Sequence, residues 1–448
     1  MCMKRKIRFL LSIIIIHPAY IYAQQSALSG NERNSSETIT LSSIEEATTL
    51  GLKQNLNLIA SKFDIEISRA EVLSAGSRKN PSLNALSSLN PFRKNYDQTT
   101  SAGPKQLDLL FTVPLDISQK IKSRKDLAYA NLKISEILFH EQIRDVSMQI
   151  QIVCIDLILH DALRKLLKEK ESNLTGMVRM IENRIGGSNI QPLLLSRSKL
   201  AVNNASIELR LVKLQRDMIA RKLITLLGIY DQKEIILNFP LREIHPYDLP
   251  DYEFLMASSK DSLPGFIALK LGSEYSEKAV ELAKAEVWDD FDFSFGLSRQ
   301  YAQNANPSDT GSSKLPGESS FAFGFNIPLP VLYRNEGEIK KAEILKLQNL
   351  KRLNAFELEL GKEIQKLHSN ILLYKKFMIE IEKEQLPRAQ QVLNSQKRLF
   401  GTGGSNLLEY FDSISAYNET LVNYYNIVSE YRKNFIQLLS ITGFHGGK

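Results

Sequence analysis

Cysteine is almost missing: the 448 residues hold two, Cys2 and Cys154, so no disulfide framework braces the fold. Histidine is also sparse. Beyond His17 near the N-terminus, His140, His160, His245, His368 and His445 are widely separated, and no His-x-x-x-His pair or cysteine cluster offers zinc spacing. There is no Gly-x-Gly-x-x-Gly, no Walker sequence and no Gly-x-Ser-x-Gly. Adjacent carboxylates such as Glu45-Glu46 and Asp289-Asp290 point apart on regular elements. No catalytic residue, metal or cofactor is expected. After the N-terminus no continuous apolar run approaches the ~18 residues of a membrane helix, so none is expected.

The N-terminus itself has the form of a secretory signal over residues 1–23. Lys4, Arg5, Lys6 and Arg8 precede the apolar run from Phe9 to Ile16, and Ile21-Tyr22-Ala23 offers a small residue at a cleavage position. Its removal lowers the formal charge from +7 to about +3, a weak basis for nucleic-acid binding. Cys2 leaves with it, and Cys154, among Ile150, Val153 and Leu157, reads as a buried small hydrophobe. Residues 24–40 read as a flexible, polar leader.

The chain is built twice. Gly186-Gly187-Ser188-Asn189-Ile190 returns as Gly403-Gly404-Ser405-Asn406-Leu407, Val113-Pro114-Leu115 as Ile327-Pro328-Leu329, and Ile59-Ala60 as Ile267-Ala268, at offsets of about 208 to 217 residues. The first repeat takes 41–228 and the second 263–443, with 229–262 an irregular, proline-bearing connector and 444–448 a tail. Each repeat orders helix, strand, polar loop, strand, long helix, glycine-rich turn, helix.

The long helices are expected over 120–185 and 338–400. The first contains no proline and one glycine, Gly176, and Ile143, Val146, Ile150, Val153 and Leu157 recur at 3,4,3,4 spacing. The second carries the same seam from Leu353 through Phe356, Leu360, Ile364, Leu367, Ile371, Tyr374 and Met378 to Ile381. Pro387 is expected to end or kink it. The helix from Ser43 to Lys79 and the one from Ile190 to Leu227 would together flank the first long helix.

Strands are expected at about 81–92, 106–115, 290–301 and 319–329. Phe291, Phe293, Phe295 and Leu297 alternate with Asp292, Ser294, Gly296 and Ser298, and Phe321, Phe323, Phe325, Ile327 and Leu329 alternate with small or polar residues. The segment from Pro81 to Phe92 alternates poorly and is assigned by repetition. Such patterning suits a half-buried soluble sheet as well as a tilted membrane strand of about 10 residues. Four strands cannot close a membrane barrel, so in lipid several chains must share one.

The order and duplication of these motifs carry a resemblance. Leu41-Ser-Ser-Ile-Glu-Glu-Ala47, Asn55-Leu-Asn-Leu58, Asn80-Pro81-Ser82-Leu83, the two x-Pro-Leu strand ends and Gly403-Gly-Ser-Asn-Leu-Leu-Glu-Tyr-Phe-Asp412 resemble the TolC-like outer membrane efflux protein family over residues 40–445. That resemblance implies a mainly α fold with a β-barrel part: a homotrimer with a 12-stranded outer membrane barrel, embedded in outer membrane lipid, above a periplasmic α-helical barrel. It implies a passive exit duct partnered by a periplasmic adaptor (membrane fusion) protein and an inner-membrane RND-type or ABC transporter. Glu409 and Asp412 match the family's acidic constriction, and Gly186, Gly187, Gly403 and Gly404 its periplasmic tip turns. The two acids also suit a helix first turn through the dipole alone. The first copy has Pro192 and Leu195 at those places, followed by Arg197 and Lys199. A type I secretion exit channel, and a secreted or periplasmic coiled-coil adaptor or scaffold, are the competing readings.

Overall fold

The computed structural model describes residues 38–88, 105–185, 192–230, 234–243, 249–302, 314, 316–402 and 407–443. The signal, residues 24–37 of the leader and the four tip glycines lie outside the described residues. The first repeat comprises β1 (Ile39–Leu41), α1 (Ile44–Gln54), α2 (Leu56–Ala75), β2 (Ser82–Ser88), β3 (Gln106–Leu115), α3 (Lys120–Ile185) and α4 (Pro192–Leu226). After β4 (Ile235–Leu237) come α5 (Tyr252–Ser262), α6 (Pro264–Ala285), β5 (Phe291–Gln300), β6 (Glu318–Asn326), α7 (Glu336–Glu380), a π turn (Ile381–Gln385), α8 (Leu386–Thr402) and α9 (Leu407–Thr442).

The first helix of each repeat is broken rather than continuous. At Asn55 the backbone turns extended (ψ 117°), its side chain accepts from Leu58 N at 3.0 Å and donates to Leu226 O at 2.8 Å. Leu263 makes the same break (ψ 111°) between α5 and α6. Each break seats a left-handed glycine from the end of its own repeat. Gly228 (φ +70°) would put a Cβ 2.1 Å from Gln54 O, and Gly443 (φ +62°) one 2.7 Å from Ser262 Oγ. The long helices also begin alike, after left-handed Gln119 (φ 59°) and Asn335 (φ 58°).

Three boundaries differ from the sequence reading. β1 pairs in parallel with β4, so the leader ends before Ile39 and the connector contains a strand; Leu41 and Ile235 are buried in the core, which is why an isolated apolar triplet becomes ordered. α5 packs with the second repeat, so that repeat begins near Tyr252 rather than at 263. β6 stops at Asn326, because Pro328 and Pro330 have no N–H to donate to a ladder. β2 is described from Ser82 to Ser88, and 89–92 lie outside the described residues.

α3, at 66 residues, extends about 100 Å at 1.5 Å per residue. One stretch of it is long and apolar enough by composition to cross a membrane, although charged residues interrupt it. That apolarity has a packing cause. Ile150, Val153 and Leu157 pack on Leu223, Leu227, Leu41 and Ile235, while Ile155 and Ile158 meet Met378, Ile381 and Val428 across the repeat boundary. In the second repeat Leu360, Ile364, Leu367 and Ile371 pack on Leu255, Phe266, Tyr431 and Leu438.

Pro387 neither ends nor breaks the second long helix. The preceding turn widens, Leu386 N bonding Ile381 O five residues back. A π turn of this kind relieves the clash between the proline ring and the carbonyl four residues earlier.

Candidate functional site

The four long strands form one antiparallel sheet in the order β2-β3-β5-β6, so the central β3–β5 contact joins the two repeats and β2 and β6 are its edges. Register puts Leu83, Phe111, Phe295 and Phe323 in one row across the sheet, with Val113, Phe293 and Phe325 in the next. Phe293–Phe325 and Phe295–Phe323 ring centroids are each 5.3 Å apart. Phe321 and Phe325 are 69% and 74% exposed. A whole apolar face therefore lacks a covering layer.

The opposite face is polar and knitted together. Gln106 Nε2 donates to Asp108 Oδ1 at 2.8 Å and to Ser298 Oγ at 3.1 Å, the Thr112 and Ser294 hydroxyls are 3.2 Å apart, and Asn326 Nδ2 donates to Asp292 Oδ2 at 3.3 Å. Leu86 and Leu110 are the exceptions; Leu110 fills the space left by Gly296. Polar groups packed this densely are well solvated beside water and costly to place against lipid.

At the far end of the helices, Glu409 and Asp412 both project from α9 into solvent. Tyr410 and Ile414 fix that orientation by burying the other side of α9 against Leu174, Met177 and Phe400; the Tyr410 and Phe400 rings stack at 5.4 Å. Residues three apart share a helix face, so the two acids present one anionic patch. The first-copy counterparts behave differently. Leu195 packs on that same cluster, and Lys199 pairs with Glu182 at 2.9 Å.

Midway, the connector is clamped to the long helices by residues the sequence reading missed. Arg242 donates from Nε and Nη2, one edge of its guanidinium, to the two carboxylate oxygens of Glu382 in the π turn, and Tyr424 O–H donates to the same carboxylate. The Arg242 hydrogen bond holds the Glu382 carboxyl below its usual range, and burial pushes the Tyr424 phenol up. Arg432, almost wholly buried, donates to Pro240 O and Leu241 O and pairs with Glu243 at 2.5 Å. Burial lowers its pKa.

Among the described residues no group of three or more His, Cys, Asp or Glu could hold a metal ion. His160 Nδ1 lies 2.7 Å from Asp156 O, one turn back on its own helix. Burial pushes the Cys154 thiol up to about 12, leaving no thiolate at neutral pH.

Neither a family model nor a curated protein matches the sequence. Solved structures do. The chain superposes on CusC, studied for its folding and transmembrane channel formation, with a TM-score of 0.71 at 15% identity, covering 94% of this chain and 96% of that one. The fold is that of the TolC-like outer membrane channels. The outer membrane protein VceC of Vibrio cholerae gives 0.67 at 16% identity (90% and 96% covered), and the open-state MtrE outer membrane channel of Neisseria gonorrhoeae gives 0.69 at 13% (89% and 88%). The likeness thus spans most of the length of both partners in each comparison.

Proposed function

We propose that this protein is the outer membrane exit duct of an efflux system, built from three copies that share one barrel. The observation that carries the reading is a four-stranded sheet with one bare apolar face, one hydrogen-bonded polar face and two unpaired edges. In lipid an edge leaves backbone groups unsatisfied, so the sheet must close with others. Two copies would give eight strands, whose interior side chains fill; three is the smallest number that leaves a lumen. The polar face then lines water and the phenylalanines meet lipid.

The helices carry the lumen through the periplasm to a tip where Glu409 and Asp412 from three chains form an acidic ring. No energy source is built into the chain. Substrate is driven by an inner-membrane RND-type or ABC transporter and reaches the tip through a periplasmic adaptor, the partners that the resemblance implies. Membrane fractionation with a planar bilayer recording tests the reading: a heat-dissociable species of three times the chain mass, conducting ions, is expected. A soluble, non-conducting single chain overturns it.

A further inference from the structure

We propose that the junction between sheet and helices holds the phosphate of a phospholipid headgroup, an inference that rests on the duct reading for its membrane level. A cleft of about 600 Å³ lies where β2 and β5 begin and β3 ends, walled by the first turns of α3. It is unusually rich in cations. Arg78, Lys79, Lys122, Arg124 and Lys125 line it, against two acids.

Both acids are already engaged. Asp116 caps α3, accepting from Lys120 N at 2.9 Å and Ile121 N at 2.8 Å. Asp290 binds Lys79 at 2.8 Å and the buried Lys120 ammonium at 2.9 Å. Among the described residues, Arg78, Lys122, Arg124 and Lys125 have no acidic partner. Arg124 Nε is moreover buried with no hydrogen-bond acceptor. That nitrogen is closed to solvent, so its missing acceptor is an unmet cost of the site as it stands; a phosphate in the cleft is met by the charged ends of the lining lysines and arginines, and reaches Nε only by a turn of the Arg124 side chain.

The surroundings favour a lipid over a free ion. Leu115, on the apolar face of the sheet, lines the cleft beside Ile117, which is 61% exposed. Trp288 lies at the same junction, its ring edge-on to Phe291 at 6.1 Å. An indole beside a basic pocket marks the depth at which headgroups sit, and acyl chains would continue onto the phenylalanine face. A free anion has no use for that apolar rim.

The test is native mass spectrometry of the detergent-solubilised full-length assembly, titrated with phosphatidylglycerol, diacylglycerol or inorganic phosphate. Phosphatidylglycerol is expected to be retained at one per chain and diacylglycerol to be lost. Arg124→Gln should bind about tenfold more weakly, the worth of one charge-assisted hydrogen bond, with Arg124→Lys in between. Should Arg124→Gln fail to assemble, the exposed pair Lys122→Gln/Lys125→Gln gives the same readout. Undiminished lipid retention in the variants, or equal retention of diacylglycerol, overturns the site. Displacement of lipid by equimolar inorganic phosphate overturns its assignment to a headgroup. Conductance of the same preparations separates the two readings: a conducting channel without specific lipid sinks this inference alone, and a non-conducting soluble protein sinks the duct.

Discussion

At the scale of single residues, the clamp at Glu382 and the acids at the tip make opposite demands on charge. Glu382 is held ionised by Arg242, so its carboxyl titrates below the unfolded value. A depressed carboxyl contributes stability above the unfolded pKa and loses it as pH falls through the folded one. Glu382→Gln should therefore lower stability at pH 7 and converge on the parent in acid, below the usual carboxylate range. Since Arg242 is half exposed, screening limits the difference to about 1 kcal/mol; denaturant titrations at both pH values measure it. Glu409 and Asp412 instead gather like charge. Replacing both by Ala should weaken cation selectivity and multivalent-cation block in planar bilayers, and unchanged reversal potentials would remove them from the pore. Those acids were singled out by a motif. The clamp was not, since residues 242, 382 and 424 share no sequence spacing and meet only through the fold.

At the scale of elements, scarcity of proline and glycine together with the 3,4 apolar seam marked out the long helices, and alternation marked out three of the strands. The break at Asn55 falls inside a helix expected to run unbroken from Ser43 to Lys79, whereas the one at Leu263 falls at the expected start of the second repeat; both carry local signals. Leu263 precedes Pro264, which disfavours helical backbone before it, and asparagine is a preferred N-cap. What the sequence could not display was the glycine partner of each break, over 170 residues away in the first repeat. That pairing predicts the behaviour of Gly228→Ala. The new Cβ must occupy a left-handed backbone and collide with Gln54 O, so the loss should exceed the ~1 kcal/mol that a left-handed backbone costs in open space. The same change at Gly176, where nothing lies within 4 Å, should be neutral or slightly stabilising because alanine is the better helix former. Thermal unfolding of the two variants in parallel checks the contrast; equal melting temperatures would contradict it.

At the scale of the whole molecule, one chain leaves long apolar stripes bare. Ile207, Leu211, Leu214 and Met218 are exposed along α4, as are Leu56, Ile59, Phe63 and Ile67 along α2, both at helical-stripe spacing. Copies that share a barrel would also bring these stripes against one another as a helical wall. The sheet lets the two environments be told apart, because neighbouring rows of β5 and β6 face opposite ways. Phe323→Lys puts an ammonium on the phenylalanine face, where at bilayer depth it costs about 2–4 kcal/mol. Ser294→Lys, across the sheet beside Thr112, puts the same charge into the lumen, where water solvates it. Insertion into vesicles should fall for the first and persist for the second, while Ser294→Lys should shift permeability toward anions. If the sheet were instead the half-buried face of a soluble domain, Phe323→Lys would leave bilayer insertion unchanged and neither variant would alter a conductance.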